Sequence, residues 1–356
     1  MNKTFWGKTP DNEDIYTYEL KCGSLHAKVM NFGANLISLY VPDRNGESAD
    51  VVLGYGELEK YFKNSPNFGC TVAPVANRIG KAHFTLNGKE YDLDQNDGRN
   101  NLHSGFHPFH HRIWTVLSEE DESITFATDM KDMEIGFPGN LHMEVTYSLQ
   151  ADGSLCIDYL GQSDSDTLFN PTNHTYFNLN GHDSGTVMNH KVWINADEFT
   201  YADEESIPDG TIRSVEGTPM DFREPHTLGE RVDADYDQLI WGKGYDHNYI
   251  LKKDQPATEY DEDKITMYKV ASLEGDLSGR KMDVYTELPG MQLYSGNFLE
   301  DFEEIGKTGK VYKKRDGVCF ETQFYPNAIN VESFEKPIVK AGEIFLSRTV
   351  YKFSAE

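Results

Sequence analysis

Three stretches of this chain carry side chains that could move protons or hold hydroxyl groups. The first is Val318-Cys319-Phe320-Glu321-Thr322-Gln323-Phe324-Tyr325, whose alternation predicts a strand with Glu321, Gln323 and Tyr325 on one face and Phe320, Thr322 and Phe324 on the other. A glutamate among aromatic rings is desolvated, so its pKa rises toward general-base use; the same pattern also fits an ordinary exposed glutamate. The second is Phe169-Asn170-Pro171-Thr172-Asn173-His174-Thr175-Tyr176-Phe177-Asn178-Leu179-Asn180-Gly181. Its amides and imidazole would suit sugar hydroxyls, which both donate and accept, and its aromatic faces would suit sugar C–H surfaces. A polar turn between strands is the alternative. The third is the run of His103, His107, His110 and His111. Its spacing matches no strong zinc pattern and Pro108 interrupts any helix that could align the rings, so it reads as a loop with one functional histidine.

Other motifs fail. Gly306-Lys307-Thr308 resembles the end of a phosphate loop, but the first glycine would fall at Asp301. Neither GxGxxG nor HExxH occurs. Asn173-His174-Thr175 matches a glycosylation sequon, which matters only in a secreted chain.

The elements that must position these residues are strands. Met143, Val145, Tyr147 and Leu149 alternate with polar residues, and Ala151-Asp152-Gly153 turns the chain into a partner strand at 155–159. Asn87-Gly88 predicts a type I′ hairpin between 83–86 and 89–93. Further strands are predicted at 26–32, 36–42, 123–129, 191–195, 266–272, 281–287 and 318–325. One short helix is predicted near 56–62. Strands do not alternate with helices, which argues against a parallel sheet. The expected architecture is all-β: one large antiparallel β-sandwich domain over 1–356, with few short helices. The acidic stretch at 253–264 is the best candidate boundary, and a long surface loop explains it as well.

Composition narrows the function. The 356 residues are 38% hydrophobic and 26% charged, enough for a packed core, and no segment is apolar enough to span a membrane. The net charge of −26 disfavours nucleic acid and points to neutral small molecules. Acidic runs at 119–122, 203–205, 261–263 and 303–304 read as solvated loops. Four scattered cysteines form neither a disulfide framework nor a zinc pattern. With no apolar leader at the start of the chain, a cytoplasmic protein is expected.

Taken together, the chain resembles the galactose mutarotase (aldose 1-epimerase) family over nearly its whole length. The resemblance rests on Asn31-Phe32-Gly33-Ala34, Val75-Ala76-Asn77-Arg78-Ile79-Gly80, Asn100-Asn101-Leu102-His103-Ser104-Gly105, the segment around His174, Gly244-Tyr245-Asp246-His247-Asn248, Pro289 through Phe298, and Glu321-Thr322-Gln323. It implies the family's supersandwich fold, an open sugar cleft and interconversion of the α and β anomers of a free hexose, galactose or glucose. It implies Glu321 as base, His174 as acid and His103 as the histidine that positions the sugar and polarises its ring. Asn77, Arg78, Asp246 and Gln292 match sugar-binding positions, and Thr175 and Tyr176 adjoin the acid. No metal or cofactor is implied, and the expected assembly is a monomer or homodimer. Ser104 stands where the family often has glycine, Ala73-Pro74 stands where many members have Gly-Arg, and the histidine-rich stretch from 105 to 111 lacks the usual Gly-Phe-Asp. A phosphosugar mutarotase and a non-catalytic sugar-binding sandwich are the rivals, followed by a metal enzyme using the 103–111 histidines.

Overall fold

The computed structural model describes residues 2–257, 266–302 and 305–356. The acidic runs at 261–263 and 303–304, and most of the candidate boundary at 253–264, lie outside the described residues. Leu141–Leu149 pairs antiparallel with Ser154–Ser163, and Met143, Val145, Tyr147 and Leu149 are buried as their alternation demands. The Asn87-Gly88 hairpin joins His83–Leu86 to Lys89–Asp92, with φ of 52° and 77° at the two turn residues. Both angles are positive, as a type I′ turn requires.

Three antiparallel sheets dominate. One has five strands: Asn2–Lys8, Asp14–Cys22, Leu25–Met30, Asn35–Pro42 and Ser48–Asp50. The longest has ten and is centred on Leu141–Leu149, Ser154–Ser163 and the C-terminal strand Ile344–Ala355. The third runs in the order Pro208–Ser214, Glu198–Ala202, Asp246–Ile250, Gly290–Tyr294, Cys319–Gln323. The result is a large antiparallel β-sandwich. Its helices are short, with Leu58–Tyr61 inside the predicted 56–62 and Asp237–Trp241 unanticipated.

The sheets share one core. The largest buried cluster takes Leu20 and Val29 from the first sheet, Val145, Ile157 and Tyr351 from the long sheet, and Tyr249, Met291 and Phe320 from the third. The rings of Tyr18 and Phe126 meet edge-on at 5.8 Å between the first two sheets. The Tyr351 hydroxyl donates to the Phe320 carbonyl at 2.8 Å, joining the long sheet to the third. A buried phenol is stable where its hydroxyl finds an acceptor.

Tyr147 connects the core to the functional region. Its hydroxyl donates to the Ala34 carbonyl at 2.7 Å, lies 3.0 Å from the Thr71 hydroxyl, and accepts from the Asn173 amide at 3.0 Å. Asn173 precedes His174. Gly69 holds the same segment: its N–H donates to the His174 carbonyl at 3.0 Å and its own carbonyl accepts from Leu36 N–H at 2.8 Å. With φ of +63° and a Cβ position only 1.9 Å from the Leu36 carbonyl oxygen, this site admits glycine alone. Tyr147→Phe takes one of two partners from the Asn173 amide, which keeps the Gly69 carbonyl, and one from the Ala34 carbonyl, which keeps the Thr71 hydroxyl. The expected cost is about 0.5–1.5 kcal/mol, read as a lower urea midpoint at unchanged slope.

Candidate active site

The floor of the site is set by register. In the third sheet Asn248 faces Gln292 and Gln292 faces Glu321, while Asp246 faces Tyr294 and Tyr294 faces Cys319. Paired residues, and residues two apart on one strand, share a face. Asp246, Gln292, Tyr294 and Glu321 therefore come together although the first and last lie 75 positions apart in the sequence. Phe320 turns the other way into the core and Thr322 donates or accepts with Thr349 there. Tyr325 departs from the expectation: the strand ends at Gln323, and Tyr325 packs edge-on against Phe334 at 5.1 Å instead of continuing the face of Glu321.

The walls come from loops. The cleft holds about 300 Å³, and Asn77, Arg78, His103, His174 and Tyr176 line it together with the floor residues. Asn77 and His103 are clasped: His103 N–H donates to the Asn77 carbonyl at 3.0 Å and Asn77 N–H donates to His103 Nδ1 at 3.2 Å. That second bond makes Nδ1 an acceptor and leaves the proton on Nε2. Ser104, in place of a glycine, adopts φ of 71° and its hydroxyl both accepts from the Val75 N–H and donates to the Val75 carbonyl, each at 2.9 Å. A backbone bend that favours glycine is thus held by a side chain that welds the two wall loops.

The amide-rich segment behaves differently from its expectation. His174 and Tyr176 face the cleft, but the four asparagines serve the protein. Asn170 bonds both N–H and C=O of Phe324, Asn173 donates to Tyr147 and the Gly69 carbonyl, Asn178 donates to the carbonyls of Gly185 and Asp316, and Asn180 accepts from the N–H groups of Leu277 and Ser278. The physical reason is that this irregular chain is buried, so neighbouring backbone groups need side-chain partners. Thr175 likewise turns from the cleft and its hydroxyl donates to Asn173. The structure therefore brings together every predicted site residue except Thr175.

Electrostatics come from burial. His174 Nε2 lies 3.7 Å from Glu321 Oε1, and both side chains are almost fully buried. Burial and the negative charge of Asp246 hold Glu321 well above the usual carboxylate range, against a smaller opposing pull from Arg78. Burial pushes His174 down to about 4, opposed by its own backbone carbonyl and Asp246. Burial, His174 and Arg78 push His103 down as well. Gln292 steadies Asp246 by donating to Oδ1 at 2.7 Å, and Gln323 donates to Gln292 Oε1 at 3.2 Å.

Sequence reasoning missed Tyr294 in the cleft floor and Asp97, Ser65, Pro66, Asn67, Leu102 and Phe298 in its walls. Tyr294 was within reach, because it follows Gln292 by two residues on one strand. Asp97 gives no local signal. For metals, His174, Cys319 and Glu321 are the one group among the described residues whose donor atoms lie within 4.8 Å of one another. The imidazole faces the thiol with Nδ1 at 3.7 Å and the carboxylate with Nε2, so a single cation at one ring edge would have to draw the third donor around the ring. The 103–111 histidines form no such group among the described residues: His103 lines the cleft, His107 is exposed and His110 is buried.

The family model for aldose 1-epimerase matches residues 16–352. The chain belongs to the aldose 1-epimerase family. Relatives include galactose mutarotases of Rattus norvegicus, 39% identical, and Sus scrofa, 40% identical, each alignment covering 99% of this chain and 98% of the relative. The aldose 1-epimerase of Escherichia coli K12 is 35% identical over 92% of both chains. Among solved structures, an aldose epimerase homologue from C. elegans superposes with a TM-score of 0.84 at 30% identity, covering 95% of this chain and 99% of the other. A galactose 1-epimerase from Lactobacillus acidophilus NCFM gives 0.84 at 27% identity, covering 99% and 98%. Like its family, this chain is an isomerase that interconverts the anomers of a hexose.

Asp246 raises the pKa of both Glu321 and His174. Asp246→Asn removes that charge, so both groups lose protons at lower pH. For a cleft in which Glu321 and His174 carry the protons and Asp246 holds the sugar, both limbs of the kcat/KM profile for mutarotation should move to lower pH and KM should rise by about tenfold. Polarimetry across pH checks both.

Proposed function

We propose that this protein opens and recloses the ring of a free hexose with Glu321 as base and His174 as acid. The observation that carries it is the buried imidazole–carboxylate pair, 3.7 Å apart in the cleft floor. Glu321 takes the proton of the anomeric hydroxyl O1. The C1–O5 bond breaks, C1=O1 forms, and O5 takes the proton from His174 Nε2. The aldehyde turns about C1–C2 and closes on its other face by the reverse transfers. Neighbouring groups suffice, because O1 and O5 share one carbon.

Proton bookkeeping explains the pKa directions. The form that opens the ring is carboxylate and imidazolium, the minor arrangement of the pair's one proton because burial favours the neutral groups; after opening, the pair is carboxylic acid and neutral imidazole. One proton is on the pair in both states. Burial favours the neutral form and so stabilises the enzyme state that accompanies the open-chain aldehyde. Lifting Glu321 and lowering His174 also widens the range over which the pair holds that one proton.

His103 donates Nε2–H to the sugar, a role supported by the Asn77 N–H that occupies its Nδ1. Asn77, Arg78, Asp246, Gln292 and Tyr176 hold hydroxyls and the ring face. Galactose is the first sugar to test, because the mammalian relatives are named for it, and glucose the second. Arg78 is the one arginine or lysine lining the cleft among the described residues, against Asp97, Asp246 and Glu321, which disfavours a phosphosugar. Every proposed group comes from one chain, so a monomer or homodimer suffices. The four cysteines are unpaired thiols, which suits the cytoplasm, and no helix among the described residues is long and apolar enough to cross a membrane.

Glu321→Gln keeps the shape but removes the proton acceptor, and His174→Asn removes the donor to O5. Each should lower turnover by at least about 10²-fold with folding intact. His103→Asn should lower turnover and weaken binding together. A folded Glu321→Gln protein with near wild-type decay of optical rotation would overturn the assignment. The wild-type kcat/KM profile should be bell-shaped, its acidic limb near pH 4, where a second proton reaches His174, and its alkaline limb where Glu321 gives up the last one. An acidic limb at the ordinary histidine pKa would contradict the burial effect.

A further inference from the structure

Asp97 is the acidic side chain of the cleft wall that the acid–base scheme leaves without a task. Its Oδ2 accepts from Arg78 Nε at 2.7 Å. The turn that carries it is closed in both directions, Asp97 N–H donating to the Asn100 carbonyl at 3.1 Å and Asn100 N–H to the Asp97 carbonyl at 2.9 Å. Asn100 Oδ1 accepts from Lys81 N–H at 2.8 Å, and the Asn96 side chain bonds both the N–H and the C=O of Leu102. The carboxylate is thus presented by a loop tied down on both sides.

Arg78 is held at its backbone as well, where its N–H donates to Asn77 Oδ1 and its carbonyl accepts from Asn327 N–H. A guanidinium has five N–H donors in a rigid fork. Asp97 takes the one on Nε, and the two terminal nitrogens have no partner among the described residues. A long side chain fixed only at its backbone samples many rotamers, and a carboxylate on Nε selects among them without consuming the donors at the tip.

We propose that Asp97 is a positioning residue for sugar binding: it orients the Arg78 guanidinium so that its terminal nitrogens are kept for sugar hydroxyls. This rests on the mutarotase reading of the cleft. Asp97 acts through Arg78 and not on the reacting atoms, so its loss weakens binding while leaving the chemical step in place. Neutralising it should also be harmless to folding, since its side chain is over a third exposed.

The test measures KM and kcat by polarimetry, and galactose and glucose binding by calorimetry, for wild type, Asp97→Asn, Asp97→Glu, Arg78→Ala and the Asp97→Asn/Arg78→Ala double variant. Asp97→Asn should raise KM and Kd by about tenfold with kcat within about threefold of wild type. Asp97→Glu, which keeps the charge, should recover most of the loss. In the Arg78→Ala background Asp97→Asn should add less than about twofold, because the residue it acts through is gone. An Asp97→Asn protein that binds and turns over like wild type would overturn the proposal, as would a KM effect of equal size with and without Arg78. So would a fall in kcat at unchanged KM. A wild-type protein that fails to mutarotate any hexose would instead overturn the mutarotase reading.

Discussion

Everything in the cleft depends on the register of three antiparallel strands. Asn248, Gln292 and Glu321 stand in one row across Asp246–Ile250, Gly290–Tyr294 and Cys319–Gln323, and Asp246, Tyr294 and Cys319 in the next. A slip of one residue in any strand would send its polar side chains into the core and its apolar ones into the cleft. The core opposes that slip. Tyr249, Met291, Leu293 and Phe320 lie on the opposite face of the same strands and are fully buried. Packing on one side of the sheet thus places chemistry on the other.

The second constraint is that the acid and base are dry. A carboxyl and an imidazole almost without solvent contact share a proton instead of trading it with water. Asp246 and Arg78 pull Glu321 in opposite directions, and burial outweighs both. Around this pair the polar side chains are held by one another: Gln323 to Gln292, Gln292 to Asp246. A site that moves protons twice per turnover gains from groups that need little reorganisation.

The walls are organised by a different device. Regular pairing there is reduced to two-residue pieces, such as Arg78–Ile79 with Asn101–Leu102 and Thr71–Val72 with Thr172–Asn173. Side chains do the work that a ladder does elsewhere: Ser104 on Val75, Asn170 on Phe324, Asn173 on Gly69 and Tyr147. The asparagine-rich composition of 169–181 therefore records a buried irregular backbone more than it records a ligand.

Much of this was legible in the residues themselves. Period-2 alternation located Leu141–Leu149 and its partner, Asn87-Gly88 located a hairpin, and the resemblance to a known family pointed to the acid, the base and most of the wall, because strand alternation and motif spacing are local properties of a chain. The long strand Ile344–Ala355 gave no clean alternation, since Tyr351 is buried in the main core and the next residue back, Val350, in a small cluster with Cys156, Met267 and Tyr285 on the other face. The outward turn of Thr175, the end of the third sheet before Tyr325 and the ion pair between Arg78 and Asp97 were decided only by tertiary structure. Each depends on which distant segment lies alongside, and nothing in the spacing of 78 and 97 tells that a turn closed by Asn100 will carry a carboxylate to a guanidinium.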